Sequence, residues 1–221
     1  RRAAEEEEKE QMKREKAKEL SKKLGIDSHA AESVLVFKPH VLPAGTKSKL
    51  YCAGLYYPKV SMPDRHEQSN LSKDILKWKR NGYPKSVIFA LCQFLCSIEK
   101  QVVITVVPDE PRKRPRMVAL LRDCEEAMGD TTNLRWIDDL FKFREQIHTH
   151  SAGARENRLK LINENLISRN VDLAGETVLV IDDLHTTGAT LNTMASRLYE
   201  LMNATHVDYI CLAKTYTYWN N

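Results

Sequence analysis

Two apolar runs without alternation, QVVITVV at 101–107 and TVLVI at 177–181, most constrain how this chain folds. A strand with one wet face alternates polar and apolar residues, whereas a strand lacking that alternation must be covered on both faces. Helices on both sides of a mostly parallel sheet supply such cover. The neighbouring segments have the matching rhythm. RPRMVALLRDCEEAMG (114–129) reads as a helix stopped by Gly129, a short strand is expected near 133–136, and ARENRLKLINENLI (154–167) is helical. ETVLVID (176–182) is a buried strand, ATLNTMASRLYELM (189–202) a helix, and THVDYICLAK (205–214) a third strand. Strands alternating with helices predict an α/β fold: a doubly wound, mostly parallel sheet with right-handed crossovers.

Ahead of this core, SVLVF (33–37) and KLYCAGLYY (49–57) read as strands joined by a turn-rich connection. SNLSKDILKWKRNG (69–82) reads as a helix capped by Ser69 or Asn70, with Leu71, Ile75 and Trp78 at helical spacing and Gly82 closing it. Pro84 then opens a mostly buried helix, PKSVIFALCQFLCSIEK. Residues 1–24 are rich in Glu and Lys; pairs four apart support a helix there, but no apolar face is wide enough to dock it firmly. The chain therefore divides into a charged helical extension (1–27), a small N-terminal part (28–82), an α/β core (83–214) and an aromatic tail (215–221) carrying Tyr216, Tyr218 and Trp219.

Several function classes are disfavoured at this level. A net charge of +4 does not by itself demand a nucleic-acid partner. Cys52, Cys92, Cys96, Cys124 and Cys211 form no CxxC pair, which argues against a disulfide framework and against a zinc site. No apolar stretch is long enough to span a bilayer and no secretory signal pattern is present, so a cytoplasmic location without a membrane partner is expected.

The informative segment is TVLVIDDLHTTGATL (177–191). In open parallel sheets ligands sit beyond the carboxyl ends of strands, where Asp182 and Asp183 fall. A helix begins just afterwards, and its unpaired N–H groups and positive dipole end favour a phosphate. Thr186, Thr187 and Thr190 add hydroxyl donors, and Gly188 lets the backbone approach closely. Two carboxylates would repel that phosphate, so they must face hydroxyls or a cation; a ribose diol bearing a 5′-phosphate satisfies both halves. Three alternatives compete. A Walker B strand would need a GxxxxGK[ST] loop, which is absent. A receiver-type acidic pocket would place its acids after the first strand. A plain capped strand–turn–helix explains the threonines but not the adjacent acids.

These residues resemble the phosphoribosyl-pyrophosphate (PRPP) signature of type I phosphoribosyltransferases. Upstream, QIHTHSAGARENRLKLINENL with LAGETVLVIDD is similar to the ComF-like (competence protein F) branch, through Gln146, Arg155, Asn157 or Arg158, and Gly175. Lys77, Trp78 and Lys79 resemble that branch's Lys-aromatic-basic segment, while its four-cysteine zinc module is lacking.

The resemblance implies that Asp182 and Asp183 bind the ribose hydroxyls and are catalytic, touching a metal only through ribose or water. His185, Thr186, Thr187, Gly188, Ala189 and Thr190 would hold the 5′-phosphate. Pro108, Asp109, Arg112, Arg114 and Arg116, with Lys113, would form the pyrophosphate loop. A mobile hood loop would bring Arg144, His148, His150 and Arg155 to the leaving pyrophosphate, with Arg144 and Arg155 catalytic, and residues 28–82 would form a small hood. Mg2+ is the cofactor implied, entering with PRPP.

The implied activity is transfer of phosphoribose to an unspecified base or amine. Two alternatives stand beside it. One is a regulatory module that senses PRPP or a nucleotide without transfer. The other is a subunit of a DNA-uptake or bacterial defence complex, for which PRKRPR (111–116) is the compositional support. A protein partner would meet the chain through the N-terminal helix.

Overall fold

The computed structural model describes residues 2–26, 36–40, 42, 47–80, 82, 85–131, 133–145 and 155–216. Its helices are α1 (Arg2–Leu24), α2 (Pro63–Gln68), α3 (Asn70–Lys79), α4 (Lys85–Cys96), α5 (Arg116–Met128), α6 (Arg155–Asn165) and α7 (Ala189–Met202). The strands are β1 (Lys38–His40), β2 (Leu50–Cys52), β3 (Leu55–Tyr56), β4 (Val102–Val106), β5 (Leu134–Trp136), β6 (Phe141–Phe143), β7 (Leu166–Ser168), β8 (Thr177–His185) and β9 (His206–Thr215).

The main sheet has the order β1-β2-β9-β8-β4-β5, with β3 also pairing β9. Every pairing in it is parallel except β1 with β2. The two unalternating runs occupy its centre, as an α/β sheet requires: all five residues of β4 are buried. Their side chains feed two separate cores. Val102, Ile104, Val106, Leu179 and Ile181 pack with α4 and α5 residues such as Leu91, Leu120 and Leu121. Val103, Val107, Val178 and Val180 pack on the other face with Leu191, Met194 and Leu198 of α7. Each such fully buried aliphatic side chain contributes roughly 1.5–3 kcal/mol, so the sheet centre is where stability concentrates.

One consequence of this order places the site. From β4 the chain crosses through α5 to β5, on one side; from β8 it crosses through α7 to β9, on the other. β4 and β8 are neighbours, with Val106 opposite Ile181. Their continuations part at the carboxyl ends, opening the crevice in which doubly wound sheets hold ligands.

Several expectations need correction. Residues 33–35 of the expected first strand lie outside the described residues; Val36 and Phe37 are not in a strand, and pairing begins at Lys38. That strand is an edge, which is why it tolerates Pro39. KLYCAGLYY breaks into β2 and β3 around Gly54, where an added Cβ would come within 2.9 Å of Leu71. Leu166 and Ile167 leave the expected helix to form β7, which pairs antiparallel with β6. Strand β8 runs beyond Asp182 because Leu184 and His185 stay in register with Ala213 and Lys214. The end of α1 docks: Ala17, Leu20 and Leu24 reach the core, and Lys23 Nζ donates to the Ala127 carbonyl at 3.4 Å.

Candidate ligand site at the sheet crevice

The crevice between β4 and β8 is a cleft of about 140 Å³. The residues lining it include Pro108, Asp109, Glu110, Lys113, Arg114, Arg116, Phe143, Asp182, Asp183 and Thr190. Segments placed apart in sequence are thus brought together: the acidic pair and the start of α7 on one wall, the loop after β4 on the other.

The acidic pair is asymmetric, because successive strand residues face opposite sides. Asp183 meets cations: its Oδ2 lies 2.8 Å from Lys79 Nζ, at the end of α3, and 3.8 Å from Arg116 Nη2, at the start of α5. Asp182 has less help. Its Oδ1 accepts the Asp183 N–H at 2.7 Å. Burial, reinforced by the neighbouring Asp183 charge, pushes its carboxyl up to about 8, against the opposing pull of that N–H and of Lys79. Around neutral pH, therefore, Asp182 tends to keep its proton, while Asp183 is the carboxylate that the two cations meet. Tyr56 borders the same charge: burial and Asp183 raise its hydroxyl, and Arg80 partly offsets them.

Two long helices begin beside the cleft, and they differ in what meets their N–H groups. At α5 the Asp109 carboxylate is already there. Its Oδ1 accepts from Arg116 N at 2.9 Å, its Oδ2 from Met117 N at 2.9 Å and from Val118 N at 3.1 Å. Asp109 lines the cleft, but its oxygens are committed to capping α5 rather than turned to a ligand's anion. Burial raises its pKa, while those N–H groups and Arg116 work against the rise. At α7 the N-cap is Gly188, in the left-handed region with φ 70°, which has no side chain to cap the helix. Among the described residues no carboxylate takes the place at α7 that Asp109 takes at α5, which leaves that dipole end suited to an external anion.

Around this second helix start, Thr190 lines the cleft, Ala189 is buried, and Thr186 and Thr187 are exposed. Thr186 Oγ1 lies 3.2 Å from Thr215 Oγ1, tying the loop to β9. His185 belongs to the strand and tucks under the loop: a Cβ on Gly188 would sit 2.9 Å from His185 Nε2. Its Nδ1 is buried with no hydrogen-bond partner among the described residues. Burial, then Lys214 and His40, lower its pKa, so the ring is neutral near pH 7 and acts as a floor rather than as a charge.

The loop after β4 holds its cations unevenly. Lys113, Arg114 and Arg116 line the cleft, whereas Arg112 does not. Arg112 has φ 67°, an uncommon conformation for a residue with a Cβ. Lys113 pairs with Glu110 at 2.6 Å, cancelling the second acid of this loop. Arg116 lies over the Trp78 ring at 5.6 Å. Pro108 is buried at the strand end.

Of the hood residues, Gln146, His148 and His150 lie outside the described residues, as does the side chain of Arg155, whose backbone opens α6. Arg144 follows β6 with an exposed side chain and does not line the cleft; its N–H donates to Asn165 O at 2.8 Å. The neighbouring Phe143 does reach the cleft, a contribution that sequence reasoning did not foresee. In the tail, Tyr216 pairs with Tyr57 at 5.4 Å, and Arg65 lies 4.9 Å over it; Tyr218 and Trp219 lie outside the described residues.

Among the described residues no group of three or more His, Cys, Asp or Glu side chains converges to hold a metal ion. The carboxylate charge of Asp183 is already met by Lys79 and Arg116. The pair therefore does not fit a divalent ion held directly by the protein. No described helix is long and apolar enough to cross a membrane.

No protein-family model matches this chain, and no curated protein does. Among solved structures it is similar to a purine phosphoribosyltransferase from Pyrococcus horikoshii Ot3, at 20% identity and a TM-score of 0.35, over 72% of this chain and 77% of that one.

Proposed function

We propose that this protein binds PRPP, or a nucleotide through its 5′-phosphate, and that with PRPP it transfers the phosphoribosyl group to a nitrogen acceptor. The observation that carries the reading is the shared cleft. The acidic pair at the end of β8 and the start of α7, with its Gly188 N-cap, both border it, and the cationic loop after β4 faces them. Asp183 accepts from one ribose hydroxyl. Asp182, in either protonation state, can pair with the other. The 5′-phosphate sits on the N–H groups of α7 beside Thr186, Thr187 and Thr190. Arg114 and Arg116, with Lys113, face the diphosphate. Mg2+ enters on the diphosphate of PRPP, where it screens charge on the leaving group.

Transfer asks little covalent chemistry of the chain. The bond from C1 of ribose to the diphosphate oxygen breaks as the acceptor nitrogen attacks, and positioning with charge stabilisation lowers the barrier. A cleft of about 140 Å³ is smaller than the few hundred Å³ that ligand sites of this kind enclose. A second reading, sensing of the same ligand without transfer, is favoured by the commitment of Asp109 to α5 and of Lys113 to Glu110.

The finer assignment to the ComF-like branch, and with it a DNA-uptake or defence setting, rests on the residues around Arg155 and Gly175. Pyrophosphate release from PRPP, followed across a panel of bases and amines, separates the readings. Release with any acceptor, lost in Asp183→Asn, supports transfer. PRPP binding without release across the panel leaves sensing. Failure to bind PRPP or any nucleotide at millimolar ligand removes both.

A further inference from the structure

Among the described residues, the closer of the two ion pairs made by the acidic pair is to a lysine, Lys79. Resting on the ribose-phosphate reading above, we infer that Lys79 is the built-in counter-cation of the pair, so that Asp183 receives a ribose hydroxyl without a divalent ion of its own.

Three observations carry this. First, Asp183 and Arg116 line the cleft and Lys79 does not. The ligand can therefore reach the carboxylate without displacing the lysine. Both cationic contacts, at 2.8 Å and 3.8 Å, are made to the same oxygen, Oδ2.

Second, Lys79 is held in place rather than draped over the surface. It is the last residue of α3, where the negative end of the helix dipole favours a cation. That helix is fixed at its start by Ser69, whose side chain accepts Ser72 N–H at 3.1 Å. Along its length it is anchored by Ile75 and Trp78, which are buried. Trp78 in turn seats Arg116 on its ring, so the two cations that flank Asp183 are positioned by one buried side chain and its helix. Lys79 is only 28% exposed and Asp183 18%, so this pair is less screened than a surface ion pair.

Third, the donor set offers little to a metal. Mg2+ needs nearly octahedral oxygen ligands and keeps most of its waters, binding through one or two carboxylates that carry charge to spare. A divalent ion at Asp183 would stand close to two fixed positive charges, and no cluster of metal-ligating side chains exists among the described residues. Lys79 therefore acts as a specificity determinant for cations at this site, and as a positioning residue for the Asp183 carboxylate.

The test uses the full chain and two probes, Mn2+ alone and ribose 5-phosphate, which lacks the diphosphate that would bring its own metal. Mn2+ binding is followed by electron paramagnetic resonance in the wild type, Lys79→Gln, Lys79→Arg and the Lys79→Gln, Asp183→Asn double variant. Urea midpoints confirm that each is folded, and Lys79→Met replaces Lys79→Gln if that variant is not.

We expect the wild type and Lys79→Arg to bind Mn2+ no better than an Asp183→Asn control. Lys79→Gln should gain a site at least about tenfold tighter, as removal of a close opposing charge predicts, and the added Asp183→Asn should abolish it. Ribose 5-phosphate should bind the wild type equally in EDTA and in Mg2+. A wild-type Mn2+ site that Asp183→Asn removes would overturn the assignment, as would the lack of any gain in Lys79→Gln, or ribose 5-phosphate binding that requires Mg2+. If ribose 5-phosphate binds neither wild type nor variant while the Mn2+ series comes out as expected, the ribose-phosphate reading falls and the role of Lys79 stands.

Discussion

Replacing Asp182 by Asn should make this protein more stable, and increasingly so as the pH rises. The carboxyl is buried beside Asp183 and held up to about 8 from an ordinary value of 3.8. A carboxyl whose pKa is raised by folding carries no penalty below its unfolded pKa. The penalty grows as the unfolded chain ionises and the native one does not, and it levels off above the folded pKa. At pH 7 the interval from 3.8 is about three units, and at about 1.4 kcal/mol per unit the full penalty is about 4 kcal/mol.

Part of that cost belongs to the pair rather than to Asp182, since removing either charge relieves the other. Asn also keeps the oxygen that accepts the Asp183 N–H. A gain of about 2 kcal/mol at pH 7, and about half as much at pH 5, is the expected outcome. Urea unfolding of both proteins at pH 5, 7 and 8.5, followed by the fluorescence of buried Trp78, measures it. The reasoning fails if the variant is less stable than the wild type, or if its advantage is the same at all three pH values. Such a gain on deleting a site residue is what a binding site held at the expense of stability should show.

Other perturbations separate structural from binding roles. Asp109→Ala removes the carboxylate that caps α5 and should lower stability by about 1–2 kcal/mol in urea titration; a neutral result would deny Asp109 that role. Gly188→Ala meets both a left-handed φ of 70° and the His185 ring, so a loss of about 1–3 kcal/mol together with weaker PRPP binding is expected. An unchanged melting temperature would show that the loop relaxes easily. Deleting residues 2–14 should leave stability within about 0.5 kcal/mol, because among the described side chains those of α1 that meet the core are at Ala17 and beyond, whereas Leu20→Ala, which truncates a buried side chain, should cost about 2 kcal/mol or more.

The parts of this structure that were legible in the sequence are those governed by local pattern. Unbroken apolar runs could only be central strands, and β4 and β8 are central. Ser69 caps α3 as its position before a helical repeat predicts, and Gly129 ends α5 with φ 65°. The acidic pair and the turn after it announced a site because their chemistry is contiguous. What escaped depends on contacts between distant residues. Pairing of Phe141–Phe143 with Leu166–Ser168 leaves no mark in either three-residue stretch, and it draws Leu166 and Ile167 out of an otherwise helical pattern. Asp109 was read as one residue of the pyrophosphate loop; its carboxylate instead reaches, across the turn at Arg112, the N–H groups of residues 116–118. The segment around Lys79 could be singled out by resemblance, but the contact of Lys79 with Asp183, more than a hundred positions away, could not.

The central claim, that one ligand bearing a ribose and a 5′-phosphate spans the acidic pair and the start of α7, is tested most directly by calorimetric titration of PRPP. The wild type should be compared with the Asp182→Asn, Asp183→Asn double variant, with urea unfolding confirming that both are folded. The account predicts saturable binding to the wild type that weakens at least about tenfold in the double variant, as loss of a charge-assisted hydrogen bond implies. Equal affinity in the two proteins, or no heat of binding to the wild type at millimolar PRPP, would contradict it.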